Sequence, residues 1–175
     1  MTDGGVGFTA GVSYYDYRNV QGYAPIFTDI GRGNSLDGNG GLLYGFEVEE
    51  LFAEANLELA GQPLRVFADY VQNIAADTYD TGYALGLRWR RASEPGSWDV
   101  GWAYEDIEAN AVYALFTDSD FAGGGTDGKG HVFKADYVLR DRLNLGLTYF
   151  LNERGTAEGN ERNYNRLQAD VSFRY

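Results

Sequence analysis

Residues 166–175 read RLQADVSFRY, and this stretch decides the fold. From Leu167 onward apolar and polar residues alternate strictly. Leu167, Ala169, Val171, Phe173 and Tyr175 share one parity, and Gln168, Asp170, Ser172 and Arg174 share the other. Period two is the signature of a β-strand with one apolar face. Chain ends usually fray. A well-formed strand ending on an aromatic side chain is expected to be paired.

The same period recurs along the chain and predicts eight strands. They cover 6–17, 43–59, 63–71, 81–91, 97–106, 131–140, 142–152 and the closing stretch. Their apolar sets include Phe8, Ala10, Val12 and Tyr14 in the first strand and Leu64, Val66, Ala68 and Tyr70 in the third. Tyr83, Leu85, Leu87 and Trp89 follow in the fourth, and Trp98, Val100, Trp102 and Tyr104 in the fifth. In 43–59 the apolar parity changes, from Tyr44, Phe46 and Val48 to Leu51, Ala53, Ala55, Leu57 and Leu59. A β-bulge near Glu49–Glu50 would produce that change.

Tight turns at 60–63, 92–97 and 140–142 alternate with long Gly- and Asp-rich loops at 18–41, 72–80, 106–130 and 152–163. Short turns at one end and long loops at the other predict an all-β, antiparallel up-and-down meander. It forms one domain over 1–175, without helices or a linker.

Composition narrows the class. The chain has 175 residues, with 24 Gly, 3 Pro, 14 Tyr and no Cys. No disulfide framework or thiolate chemistry is available. A net charge of −12 argues against a nucleic-acid partner, which requires a basic face. No apolar run reaches the length of a transmembrane helix. The opening MTDGGVGF lacks the basic and apolar regions of a secretory leader. The expectation is therefore a leader replaced by Met1, or a portion of a longer protein.

Alternation leaves open which face is inside. A soluble barrel puts apolar residues inside; a membrane barrel puts them outside. Volume favours the second, since an eight-stranded interior barely accommodates its own side chains and here would be overfilled. The polar parity holds Arg, Asp and glycines (Gly11, Gly86, Gly101, Gly146), which suit a confined lumen. Aromatics gather at strand ends. Phe8, Trp89, Trp98, Phe173 and Tyr175 lie toward the short turns, and Tyr14, Tyr70, Tyr83, Tyr104 and Tyr149 toward the loops. Such girdles mark both membrane interfaces. No charge interrupts the apolar sets, where one near mid-membrane would cost roughly 2–4 kcal/mol. The expectation is a transmembrane β-barrel of eight strands, or half of a larger one of about sixteen.

Residues 97–131, SWDVGWAYEDIEANAVYALFTDSDFAGGGTDGKGH, closely resemble the bacterial putative porin family. That family carries a similar Gly-Ser-Trp strand, a Glu-Ala-(Asp/Asn)-Ala segment and an Asp-Ser-Asp-Phe…Gly-Gly-Gly-Thr loop. VFADYVQN, LNLGLTYFLNE and RLQADVSF also look like it. The resemblance covers most of this chain and corresponds to the C-terminal half of longer family members. It implies passive passage of solutes across the outer membrane of a Gram-negative bacterium. The implied partners are the lipid bilayer with its lipopolysaccharide, small solutes or ions, and the barrel-assembly machinery. Outer-membrane barrels resemble one another in ending as this chain does, so Leu167, Ala169, Val171, Phe173 and Tyr175 are the expected assembly signal. An oligomer is compatible with this reading.

Charges of inward parity form the candidate wall. The positives are Arg65, Arg88, Arg90, Lys134, Arg140, Arg166 and Arg174; the negatives are Glu54, Glu58, Asp69, Asp99, Asp136 and Asp170. The wall is nearly balanced, so the acidic excess sits in loops, at Asp106, Glu108, Asp118, Asp120, Asp127 and Glu158 among others. Acidic loops at a pore mouth would concentrate cations, giving mild cation preference. In a barrel closed at eight strands the same charges would be an internal salt-bridge network. The competing reading is a non-conducting structural or adhesive barrel. Pairing of 6–17 with 164–175 would favour it. Loop 106–130 is long enough to fold inward as a constriction.

NSLDGNGG (34–41) and GGGTDGKG (123–130) offer oxygens at calcium-like spacing, but neither matches the EF-hand pattern, and turn formation is the favoured explanation. No cofactor or metal is expected. Enzymatic chemistry has little to work with. His131 is the only histidine, and Gly-x-Ser-x-Gly is absent. Asp118 and Asp120 lie in a loop without burial to raise a pKa.

Overall fold

The computed structural model describes residues 6–26, 31–157 and 159–174. These form one antiparallel sheet of eight strands in sequential order. The strands are β1 (Gly7–Tyr17), β2 (Phe46–Leu59), β3 (Gln62–Asn73) and β4 (Thr81–Arg90), then β5 (Trp98–Ile107), β6 (Gly128–Arg140), β7 (Leu143–Arg154) and β8 (Arg162–Phe173). Every neighbour pair is antiparallel, so the up-and-down meander is as the alternation predicts.

Turn chemistry fixes the register. Leu59 pairs with Gln62, leaving Ala60 and Gly61 as a two-residue loop with φ of 54° and 71°. Two positive φ values define a type I′ turn, whose twist matches the flanking strands. Between β4 and β5, the Ser97 hydroxyl accepts the Ser93 and Glu94 N–H groups at 2.8 and 2.9 Å.

In register, apolar partners meet apolar partners. Val66, Leu87, Trp102, Phe133 and Tyr149 lie side by side across five strands, and Leu167 continues the row on β8. This face is left uncovered: Leu85, Leu87 and Val100, central in the sheet, remain 38–40% exposed. A contiguous apolar surface of this kind requires an apolar neighbour. From Leu143 to Leu151 it runs about 27 Å along β7, or about 20 Å along the normal at the usual strand tilt, near the height of a bilayer's apolar core. Above it, outward-parity Lys129 sits 3.7 Å from Glu153 and 3.8 Å from Glu161, closing the band with charge.

β1 and β8 do not pair with each other. The sheet is open, and its edges are barer than its centre, with Val12 79% and Val171 71% exposed. The arrangement is consistent with a barrel fold.

Two local expectations change. β2 runs in unbroken register against both neighbours, so no bulge interrupts Glu49–Glu50. Phe46 and Val48 instead lie on the inner parity and are buried beneath a loop. Their apolarity reports that cover. The irregularity occurs on β6, between Val138 and Arg140. It places Arg140 opposite outward-facing Leu143, so Arg140 leaves the inner set.

Candidate solute pathway along the covered face

The inner face is defined by what folds over it. The segment 108–127 between β5 and β6 turns back across the sheet through two short 3-10 turns, Ala114–Phe116 and Phe121–Gly123. Tyr113 packs with Leu42, Phe46 and Val48, its ring 5.3 Å from that of Phe46. Further along, Phe121 and Ala122 pack with Val132 of β6 and Phe150 of β7. Between these anchors Asp120 reaches β8, its Oδ1 2.5 Å from Arg166 Nη1. The expectation that 106–130 folds inward therefore matches the observed geometry. Apolar side chains toward opposite edges of this one face hold the loop in place.

Three buried asparagines tie the loops together. The Asn34 amide donates to the carbonyls of Ala109 and Val112 at 2.7 and 2.9 Å, and its Oδ1 accepts the Ala114 N–H at 2.9 Å. Asn73 donates to the Gly45 and Asn110 carbonyls. Asn110 in turn accepts the Ser35 N–H and donates to Thr78 O. A primary amide offers both donors and acceptors, so each can satisfy several backbone groups that the loops would otherwise bury unpaired. Nothing in the sequence sets these asparagines apart from ordinary turn residues.

Below the loop lies a charged wall. Arg88 Nη2 bridges two strands, 2.6 Å from Asp99 Oδ1 and 2.5 Å from Asp136 Oδ2. Arg65 sits 2.6 Å from Glu54. Arg65, Arg88 and Lys134 line a recess of about 230 Å³ together with Glu105, whose inward parity on β5 makes it a wall residue beyond those expected from the alternation. Asp69 Oδ1 is buried without a hydrogen-bond donor among the described residues. Glu58 lies opposite Pro63 near the short turns. Asp136 and Asp170 flank Gly146, where an added Cβ would stand 3.1 Å from Asp136 Oδ1 and 3.6 Å from Asp170 Cβ. Arg174 follows β8 at the turn end, its N–H donating to Arg142 O at 2.9 Å.

Arg90 departs from the expected wall. Its φ is 70°, which ends the alternation of β4, and its guanidinium lies 4.1 Å from the ring centre of outward-facing Trp98. A cation over an indole face is a favourable arrangement, and it assigns Arg90 to the turn-end aromatic girdle.

The acidic loop residues take different roles. Asp118 Oδ1 accepts the Asp120 N–H at 2.8 Å, and Asp120 pairs with Arg166. Asp127 is buried, its Oδ1 accepting Thr156 Oγ1–H and the Ala157 N–H. Asp37 Oδ1 likewise accepts the Asn39 and Gly41 N–H groups. Both carboxylates from the calcium-like stretches are thus engaged in forming turns. His131 stands on the outer face at the loop end, where the Trp102 indole donates to its Nδ1 at 3.2 Å. Leu167, Ala169, Val171 and Phe173 continue the apolar face on β8. Tyr175 and Glu158 lie outside the described residues.

An apolar outer face, a charged inner face and a loop folded across the latter define the class of membrane-embedded β-barrels. Comparison with protein families then identifies the chain: the family described as Putative porin matches residues 35–175, and this protein belongs to it. A search of curated proteins finds no match.

Proposed function

We propose that the chain forms the wall and constriction of an outer-membrane porin for passive diffusion of small hydrophilic solutes or ions. The observation that carries this reading is the segment 108–127, anchored on both sides of the charged face. A purely structural barrel has no use for a loop narrowing its interior. The unpaired edges of β1 and β8 also favour a wider barrel over one closed at eight strands, whose interior would be filled. The protein acts as a channel without catalysis.

The outer face meets lipid, and lipopolysaccharide at the loop end. The β8 apolar series presents the strand to the assembly machinery. Net charge of −12, with Glu105 gained by the wall and Arg90 and Arg140 lost from it, leaves an excess of negative charge over the wall and loops together. Small cations are therefore expected to be preferred mildly over small anions. Planar-bilayer recording tests this directly. A potassium chloride gradient is expected to give a reversal potential of cation-preferring sign. Absence of channel steps contradicts the porin reading, and a clear chloride preference contradicts the selectivity.

A further inference from the structure

Three arginines meet at the loop end of the inner face. Arg154 on β7 and Arg162 on β8 are direct register partners, and both have inward parity. Arg32 approaches from the opposite side, its carbonyl accepting the Thr126 N–H at 2.9 Å. Together they line a recess of about 440 Å³ along with Ala122–Gly124, Thr126 and one carboxylate residue, Asp127. Space for one guanidinium depends on the loop sequence. A Cβ on Gly123, which holds φ of 87°, would stand 2.9 Å from Arg154 Nη1.

Like charges directly opposite on a sheet repel. Among the described residues, no carboxylate lies within salt-bridge distance of Arg32, Arg154 or Arg162 to offset that repulsion. The nearby acids among the described residues are otherwise engaged. Asp120 pairs with Arg166, Glu153 and Glu161 face Lys129, and Asp127 accepts from Thr156 and Ala157. In a chain of net charge −12, three arginines against a single lining carboxylate, Asp127, are a local reversal of sign.

We propose that this recess binds a small, multiply charged oxyanion, a solute bearing several carboxylates or a phosphate. Guanidinium forks match the paired oxygens of either group, and several forks around one recess reward multiple charges over chloride. Inward parity makes the ligand a solute arriving through the aqueous interior; a lipid phosphate would approach the outer face. The site is compatible with mild cation preference. The acidic loops act on every passing ion, whereas the trio acts only on an anion that can engage several arginines.

The inference shares the inner-face assignment with the proposed function, but its readout is binding, which needs no conduction. The full chain, folded in zwitterionic detergent, is titrated calorimetrically with citrate and separately with inorganic phosphate, at constant ionic strength in chloride. Saturable binding of at least one is expected. R154Q/R162Q is expected to weaken it at least tenfold, as is R32Q, which changes only a loop residue and serves if the strand variant does not fold. A charge-matched R18Q/R91Q control is expected to bind as the parent does. Failure of both anions to saturate the parent overturns the site, and so does equal weakening in the control. Added lipopolysaccharide is expected to leave the solute isotherm unchanged; displacement of the solute by it would assign the arginines to a lipid headgroup and overturn the proposal. Channel steps without binding contradict this inference alone, and binding without channel steps contradicts the porin reading alone.

Discussion

Gly86 and Gly101 both occupy inner-face positions on adjacent strands, yet their surroundings differ. A Cβ at Gly86 would lie 2.7 Å from Phe67 Cε1 and 2.7 Å from the backbone oxygen of Trp102. Phe67 is the direct register partner of Gly86, and its ring lies over the space the missing side chain leaves. Phe52 covers Gly11 in the same way, 2.5 Å from an added Cβ. This aromatic cover shields glycines that would otherwise weaken a strand. At Gly101 the closest atom is 3.4 Å away, an ordinary contact. G86A is therefore expected to destabilise the folded protein by about 1–3 kcal/mol through overpacking, and G101A to be tolerated. Heat-modifiable mobility and thermal melting in detergent check the difference. The sequence shows glycines on this face but cannot show which ones a neighbouring ring covers.

At the scale of elements, the segment 108–127 depends on Asn34, buried at 5% exposure and bonded to four residues of that loop, Ala109, Val112, Ala114 and Thr126. N34A removes these bonds and leaves buried backbone groups unpaired, at a cost of about 2 kcal/mol or more. The strands do not depend on Asn34, so the effect is expected to fall on the loop. The variant should keep its β-sheet signal, show faster proteolysis within 108–127 and conduct more current per channel. Unchanged conductance with a cleavable loop would mean that the segment does not narrow the path. Strand positions are legible from alternation because one face meets apolar surroundings along most of the sheet. Alternation misleads where that condition fails. Phe46 and Val48 are apolar because a loop covers them, which imitates a bulge, while the irregularity at Val138–Arg140 leaves no mark in the pattern. Arg90 has the parity of a wall residue, but a positive φ ends the alternation one residue early. Which charged residues share a sheet face is largely legible from parity. The asparagine ties are not, since they join segments distant in sequence through a residue type common in any loop.

For the whole molecule, the two faces impose opposite tolerances. Leu85 and Ala84 are neighbours in the middle of β4 and point to opposite faces. L85R puts a charge against lipid and is expected to cost roughly 2–4 kcal/mol of folding stability, whereas A84R puts it among the ions of the interior at much smaller cost. Denaturant titration in lipid vesicles compares them. The central claim, that the charged, loop-covered face is the wet one and the apolar face meets lipid, has a more direct test because the chain contains no cysteine. Single cysteines at Ala84, Arg88 and Ala103 are inner positions; those at Leu85, Leu87 and Val100 are outer ones. In liposomes, a membrane-impermeant thiol reagent small enough to enter the barrel is expected to label the inner set. The outer set should react only with a lipid-soluble probe. Labelling of the outer set by the impermeant reagent, with the inner set protected, would contradict the account.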